Sequence, residues 1–567
     1  MKSISPAGAI CWLATSLASA TSIEPRGHGQ QCQFNSAQSN ECWGQYSINT
    51  NYYETTPQTG VTREYWFELQ NSTQAFDGFE RPVQTINGTF PGPTIYADWG
   101  DEIVVHVTNK DQHNGTSIHW HGVRQLNTNQ YDGTNSIQQC PIPPGSTFTH
   151  RFLAAQYGHT WYHSHFAAQA WNGVQGGIVI RGPSTAPYDV DLGVMFLNDW
   201  FHNTTDYLWA TSDRTAGLPS EAQNGLINGT NVYGSGGKRW QTVFKPGVRY
   251  RIRLVNGAID DHYQFSIDNH TMTVMATDFV PIKPYQTDVL AIGIGQRYDI
   301  IVEASQQSGD YWLRSVPATD CSGENESQDN IRGIIRYNPG STADPTSTGY
   351  TTPTTCNDEP MASLIPWVAL NASAPASQDA LDLDLPDVFT TTGLRKWTLD
   401  GQDFDAYWDK PTLQQGLMNS SWYTTTPGIT VLNEANVWAY IVIQNTANVP
   451  IAHPIHLHGH DFWVLGQEEN ANYTSSSQLQ LVNTPRRDTA MLPVDGYLVI
   501  GFPTDNPGIW PLHCHIGWHA DQGFAWQIVE RPNEIAGITD LNMVNQLCNA
   551  WKSYAAADDV VQDDSGI

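Results

Sequence analysis

Ten of the 19 histidines fall in four tight groups: His119 and His121; His163 and His165; His453, His456 and His458; and His513, His515 and His519. In a strand, residues i and i+2 point to the same face, so each His-x-His presents two imidazoles side by side. Four such pairs could line one interface and hold several metal ions. Cys514 lies between His513 and His515, and with His453 and His519 it completes a His₂Cys set, the blue-copper pattern. A thiolate with two imidazoles makes a one-electron site. Zinc is the rival for such clusters, but structural zinc sites usually take two or more cysteines per ion, and one is available here. Eight histidines remain, too many for one ion and suited to a three-copper cluster that can hold oxygen. Cys514 would bind the electron-accepting copper while its neighbours point the other way, giving electrons a covalent route.

Such pairs need strands to carry them, and the sequence reads mostly as β. Short apolar alternations recur at Glu102 to Val107, Tyr250 to Val255, Tyr298 to Val302 and Val437 to Ile443, between Gly, Pro and Asn clusters. Long helical periodicities are few. Weak internal repeats are present. Gly158-His159-Thr160-Trp161-Tyr162-His163-Ser164-His165 echoes Gly508-Ile509-Trp510-Pro511-Leu512-His513-Cys514-His515, and His119-Trp120-His121-Gly122 echoes His456-Leu457-His458-Gly459. Gly309-Asp310-Tyr311-Trp312-Leu313-Arg314 looks like the same terminal strand without histidines. The expected organisation is all-β, with three related sandwich or barrel domains and metal ligands in the first and third. The expected bounds are 1–20 for a leader, 21–183, 184–345, and 346–567 for a linker and the third domain, with the Thr/Ser/Pro-rich stretch 341–360 leading toward it.

At 567 residues, several domains are expected. The formal charge of −29 argues against a nucleic-acid partner. Lys2, the short apolar stretch Ala7 to Ala20 and the small residues Ala18-Ser19-Ala20 predict a secretory signal peptide, with no membrane span elsewhere. Asn-x-Ser/Thr sequons at Asn71, Asn87, Asn114, Asn203, Asn228, Asn269, Asn325, Asn371, Asn419 and Asn472 suggest N-linked glycans on a secreted, extracellular protein. Of eight cysteines, Cys11 leaves with the leader and Cys514 is claimed by metal, so six are expected in disulfides. Many connectivities are open. Cys32 and Cys42 are near enough for a local clip, and Cys321 and Cys356 could close a longer loop. That leaves Cys140 with Cys548.

These motifs resemble the multicopper oxidases, and most closely the ascomycete-type fungal laccases. The resemblance rests on His119-Trp120-His121-Gly122 with Asp132-Gly133 and Gln139-Cys140-Pro141-Ile142; on Trp161-Tyr162-His163-Ser164-His165; on His453-Pro454-Ile455-His456-Leu457-His458-Gly459-His460; and on His513-Cys514-His515-Ile516 through His519. It implies three cupredoxin-like Greek-key β-barrels and four copper ions. A type 1 copper would be held by His453, Cys514 and His519, and a type 2 copper by His119 and His456. A type 3 pair would be held by His121, His163, His165, His458, His513 and His515. The three disulfide pairs above also resemble the ascomycete-type arrangement. Phe524 stands where the family places the axial neighbour of the type 1 copper and cannot ligate, which implies a comparatively high potential. Asp260 matches the carboxylate of the substrate pocket, Trp518 its wall, and Asp132 an acid that helps deliver protons near the type 2 copper. The ending Asp564-Ser565-Gly566-Ile567 resembles a plug in the solvent channel to the cluster. Two positions depart from the usual pattern without touching a proposed ligand: Ile509 replaces a proline before the cysteine motif, and Asn172 an aspartate after the second motif.

The implied activity is that of a laccase, a benzenediol:oxygen oxidoreductase acting as a monomer on small aromatic substrates and O₂. The alternatives are an ascorbate oxidase, whose pattern carries Met where Phe524 stands, a ferroxidase, and a non-catalytic electron-transfer module. The last would need only His453, Cys514 and His519.

Overall fold

The computed structural model describes residues 39–111, 113–213, 220–374, 380–389, 395–562 and 564–567. The expected leader and the Cys32 end of the Cys32–Cys42 clip lie outside the described residues. Alternation sets the strands. In Glu102–Asn109, Ile103, Val105 and Val107 are buried while Glu102, His106 and Thr108 are half-exposed. The other three expected alternations lie in the strands Arg249–Asn256, Arg297–Glu303 and Trp438–Asn445.

Three cupredoxin-like β units follow one another, each built from two sheets. The first pairs the sheet Arg81–Ile86, Thr62–Gln74, Glu102–Asn109, Thr147–Leu153 with the sheet Gly92–Asp98, Gln175–Arg181, Gly158–Ser164, Ile118–His121. The second pairs a six-stranded sheet with the sheet Gln241–Val243, Arg332–Arg336, Asp310–Pro317, Tyr263–Ile267, Leu290–Ile292. The third pairs a five-stranded sheet with Ile429–Leu432, Ala525–Glu530, Gly508–Cys514, His453–Leu457, Thr489–Leu492. The named second sheets repeat one plan. An outer strand runs parallel to the last strand of the unit, which lies antiparallel to the strand before it, and that strand pairs antiparallel with an earlier one. Asp310–Pro317 therefore occupies the place of the two histidine-bearing strands. The registers coincide as well: His119 faces His163, His456 faces His513, and Ser266 faces Arg314.

The units share cores. One apolar cluster runs from Met195 and Tyr263 in the second to Phe462 and Phe524 in the third. Another joins Phe67 and Trp120 of the first to Ile509 and the C-terminal helix. That helix, Leu541–Ala557, is the longest element the strand-dominated sequence reading did not foresee. Asp540 caps it, accepting from the N–H groups of Asn542 (3.0 Å) and Met543 (3.3 Å). Val544, Leu547, Cys548 and Trp551 form its buried stripe. The Cys140–Cys548 disulfide fastens it to the first unit, and Cys321–Cys356 closes the second pair. The expected linker at 341–360 contains neither strand nor helix. No described helix is long and apolar enough to cross a membrane.

Among the sequons, Asn325 is 6% exposed, and its Nδ2 donates to Asn224 O (3.1 Å) and Asp261 Oδ2 (2.9 Å). Its amide is part of the core and has no room for a sugar, so the expectation fails there. Asn228 is half-buried and the remaining eight are exposed.

Candidate metal centre

Eight imidazoles converge between the first and third units. His119 lies 3.9 Å, centroid to centroid, from His458, and His121 stacks at 3.9 Å on His456. His165 and His513 are 5.3 Å apart and His163 and His515 5.4 Å. Strand register places each i, i+2 pair on the shared face, and docking of the two units brings the faces together.

Which nitrogen each ring can offer follows from the hydrogen bond made by the other. The Nδ1–H of His119 donates to Asp132 O (2.9 Å), that of His163 to Ser164 O (2.9 Å), and that of His513 to Cys514 O (2.9 Å). His456 donates to Asp488 O (2.7 Å) and His458 to Asp132 Oδ2 (2.8 Å). The Nε2 atoms of these five rings are therefore bare. Those of His119, His163 and His456 are buried with no hydrogen-bond partner. The Nε2 atoms of His458 and His513 stand 3.1 Å apart. With both Nδ1 protons committed elsewhere, two lone pairs face each other, an arrangement a cation between them would make favourable. Burial and the neighbouring imidazoles hold His163, His165, His456 and His458 well below the usual histidine range, and burial takes His513 down to about 4. These rings are neutral, which is the ligating form. Asp132-Gly133 sits against this cluster. Gly133 has φ +92°, and a Cβ there would strike Ile118 O, so the turn that delivers Asp132 requires glycine.

A second donor set lies beside Cys514. His453 Nδ1 and His519 Nδ1 are 3.2 Å apart, at 3.8 and 3.6 Å from Cys514 Sγ. The three donors fit around one ion. Burial pushes the Cys514 thiol well up, and a bound cation reverses that by favouring the thiolate. Phe524 is fully buried with its ring 5.1 Å from that of His453. A third grouping, His262 with Cys321 and Cys356, is closed to metal because its sulfurs are joined in the disulfide.

The expected pocket residues lie next to this second set. Asp260 is 6% exposed, and Trp518 is buried with its ring 6.1 Å from Phe201. The neighbouring Asp261 carboxylate, which burial pushes well up, accepts from Tyr263 Oη (3.2 Å) and Asn325 Nδ2 (2.9 Å). At the chain end, Ile567 is 3% exposed and joins His163, His165, His513 and His515 in lining one cavity. Ser565 Oγ donates to Ala520 O (2.7 Å), and Gly566 O accepts from Asn135 Nδ2 (2.9 Å).

Three residues that sequence reasoning missed complete the site. Asp488 accepts from His121 Nε2 (3.2 Å) and is paired through both oxygens with Arg297 (2.5 Å each). Burial lifts it to about 7. Its only sequence signal is that it ends the charged run Arg486-Arg487-Asp488. Trp397 places its ring 4.4 Å from His519 and 4.8 Å from His453, and Arg395 lies 4.7 Å above it. Asp199 holds the loop that carries Asp260. Nothing in their sequence surroundings marks these last two.

Comparisons with known proteins agree with this donor chemistry. Three multicopper oxidase family models match residues 68–185, 191–340 and 385–534. Laccase-2 of Botryotinia fuckeliana is 47% identical over 94% of this chain and 93% of its own length, and Laccase-1 of the same fungus is 48% identical over 95% and 94%. The crystal structure of a laccase from Botrytis aclada superposes with a TM-score of 0.89 at 46% identity, over 94% of this chain and all of that one. Fet3p, described as a multicopper oxidase that functions in iron import, superposes at 0.77 with 26% identity, over 87% and 95%. With three consecutive family matches and relatives that align along nearly its whole length, the chain belongs to the multicopper oxidase family.

Proposed function

We propose that this protein is a laccase, which takes single electrons from phenols and aromatic amines and reduces O₂ to water with four of them. The observation that carries this reading is the two-sided use of Cys514. Its sulfur faces His453 and His519, while the backbone on either side leads directly into His513 and His515 of the eight-imidazole cluster. Copper bound at these donors would supply the one-electron redox chemistry and hold the oxygen. The proposed arrangement is one type 1 ion at His453, Cys514 and His519, one type 2 ion at His119 and His456, and a type 3 pair at His121, His163, His165, His458, His513 and His515.

The chain's own residues do the rest. Asp260 accepts the phenolic proton as the electron leaves by way of His519, so charge does not build up on the substrate. Trp518 walls the pocket. Asp132 orients His119 and His458 and is placed to pass protons to reduced oxygen. The buried end at Ile567 restricts the approach to the cluster. Phe524 would offer no donor to an ion held by this set, which would disfavour its oxidised state and raise its potential. We assign the three units to 21–183, 184–345 and 346–567, and read the protein as a secreted, N-glycosylated monomer.

Metal analysis with visible and EPR spectra tests the core. Four coppers with one blue and one normal EPR signal are expected, and zinc or a single copper would overturn the reading. Turnover on a phenol against turnover on ferrous iron separates a laccase from a ferroxidase. Faster oxidation of iron would favour the latter.

A further inference from the structure

The loop between Asn256 and Tyr263 carries Asp260 on a frame supplied from elsewhere. Asp199 is the penultimate residue of the strand Val190–Trp200 and is 5% exposed. Its carboxylate accepts three consecutive backbone N–H groups: Ile259 at Oδ1 (2.9 Å), and Asp260 (2.8 Å) and Asp261 (3.2 Å) at Oδ2. Successive amides converging on one anion form a nest, which fixes the backbone they belong to. Asn256 braces the same loop, donating to Asp261 O (2.9 Å) and accepting from Ala258 N (3.0 Å). The loop then reaches the third unit, where Ile259 O accepts from Gly517 N (3.1 Å). Gly517 lies between His515 and His519. A Cβ there would collide with Trp171 and stand 2.7 Å from Ile259, so only glycine allows this approach.

We propose that Asp199 is a positioning residue for substrate oxidation, setting the Asp260 carboxylate at a fixed place relative to His519 by holding the 259–261 amides. This rests on the reading of Asp260 as the acceptor of the phenolic proton. A neutral side chain of the same size cannot replace it. Asn at position 199 would keep one acceptor oxygen and turn N–H donors toward backbone N–H groups, forcing the loop to move. Proton acceptance is sensitive to displacements of about 1 Å, whereas electron transfer from a donor with no proton to lose does not use Asp260.

The test compares the copper-loaded wild type, Asp199→Asn and Asp260→Asn with two donors, a simple phenol and hexacyanoferrate(II), which carries no proton. For Asp199→Asn, kcat/KM for the phenol is expected to fall roughly 10- to 100-fold. Turnover of hexacyanoferrate(II) should stay within about twofold and the blue band should be unchanged, while amide hydrogen exchange in 257–261 should accelerate. A selective loss in Asp260→Asn without one in Asp199→Asn overturns the inference alone. Equal losses on both donors in Asp199→Asn, with an altered blue band, overturn it in favour of a general structural role. If Asp260→Asn shows no loss selective for phenol, the Asp260 reading fails and the inference falls with it. Should Asp199→Asn not accumulate, exchange in the wild type decides. Protected 259–261 amides support the inference, and exchange as fast as in an exposed loop overturns it.

Discussion

The second β unit uses the same pair of strands as the first and third, in the same register, and carries no histidine on either of them. Where His163 and His513 face His119 and His456, Arg314 faces Ser266. Two residues along from Ser266, at the place of His121 and His458, is Asp268. Arg314 and Asp268 bind each other through two contacts, Nε to Oδ1 at 2.7 Å and Nη2 to Oδ2 at 2.9 Å. The guanidinium is the local cation, so the carboxylate is satisfied from within the chain. In the histidine-bearing units the Nε2 atoms of His119, His163 and His456 have no hydrogen-bond partner. The position after the facing residue differs too, being Ser164, Ser315 and Cys514 in the three units. One scaffold thus supports a self-neutralised ion pair, a set of hard-to-satisfy imidazoles, or imidazoles joined to a soft thiolate. The side chains choose among them, not the fold.

The most severe way to erase the difference is Cys514→Ser, which gives the third unit the serine found in the other two. A hydroxyl cannot replace the thiolate, so the blue band and turnover should both disappear, with one copper fewer by metal analysis. Asp132→Asn keeps the hydrogen-bond geometry to His458 but removes the charge and the proton carrier. It should lower turnover by about 10²-fold with copper content intact, measured by oxygen uptake. Asp488→Asn loosens the outer hold on His121, while the backbone oxygen that holds His456 stays in place. Copper retention against a chelator should weaken roughly 10-fold, and retention equal to that of the wild type would show that Arg297 and the backbone suffice. Arg314→Met strands the buried Asp268 and should cost about 3 kcal/mol of stability with unchanged copper spectra. Adding Asp268→Leu should recover most of that, as read by thermal unfolding. If the single change alters the copper spectra, the second unit is not silent toward the metal centre. The smallest effect is expected from Phe524→Met. An axial thioether should lower the type 1 potential in a redox titration and slow phenol oxidation by a modest factor.

Much of the metal centre was legible in the sequence because strand geometry is local. A period of two puts both histidines of a pair on one face wherever the strand goes, and the contiguity of His513, Cys514 and His515 fixes which donors share a backbone. The repeat of Gly158 to His163 at Gly309 to Arg314 and at Gly508 to His513 showed that three strands share one place in three related units. The chemistry of thiolate and imidazole then selected copper. Some features were decided only by docking one sheet against another. Asp488 reaches His121 across 367 residues and Asp132 reaches His458 across 326, contacts for which no local pattern exists. Trp397 covers two rings of the second donor set from a strand with no histidine. Asp199 holds a loop 60 residues away. Asn325 carries a perfect sequon yet spends its amide in the core, which sequence alone does not reveal. Periodicity and spacing report which way a side chain points. Burial and long-range partners depend on how separate strands come together, and that is settled by packing of the whole chain.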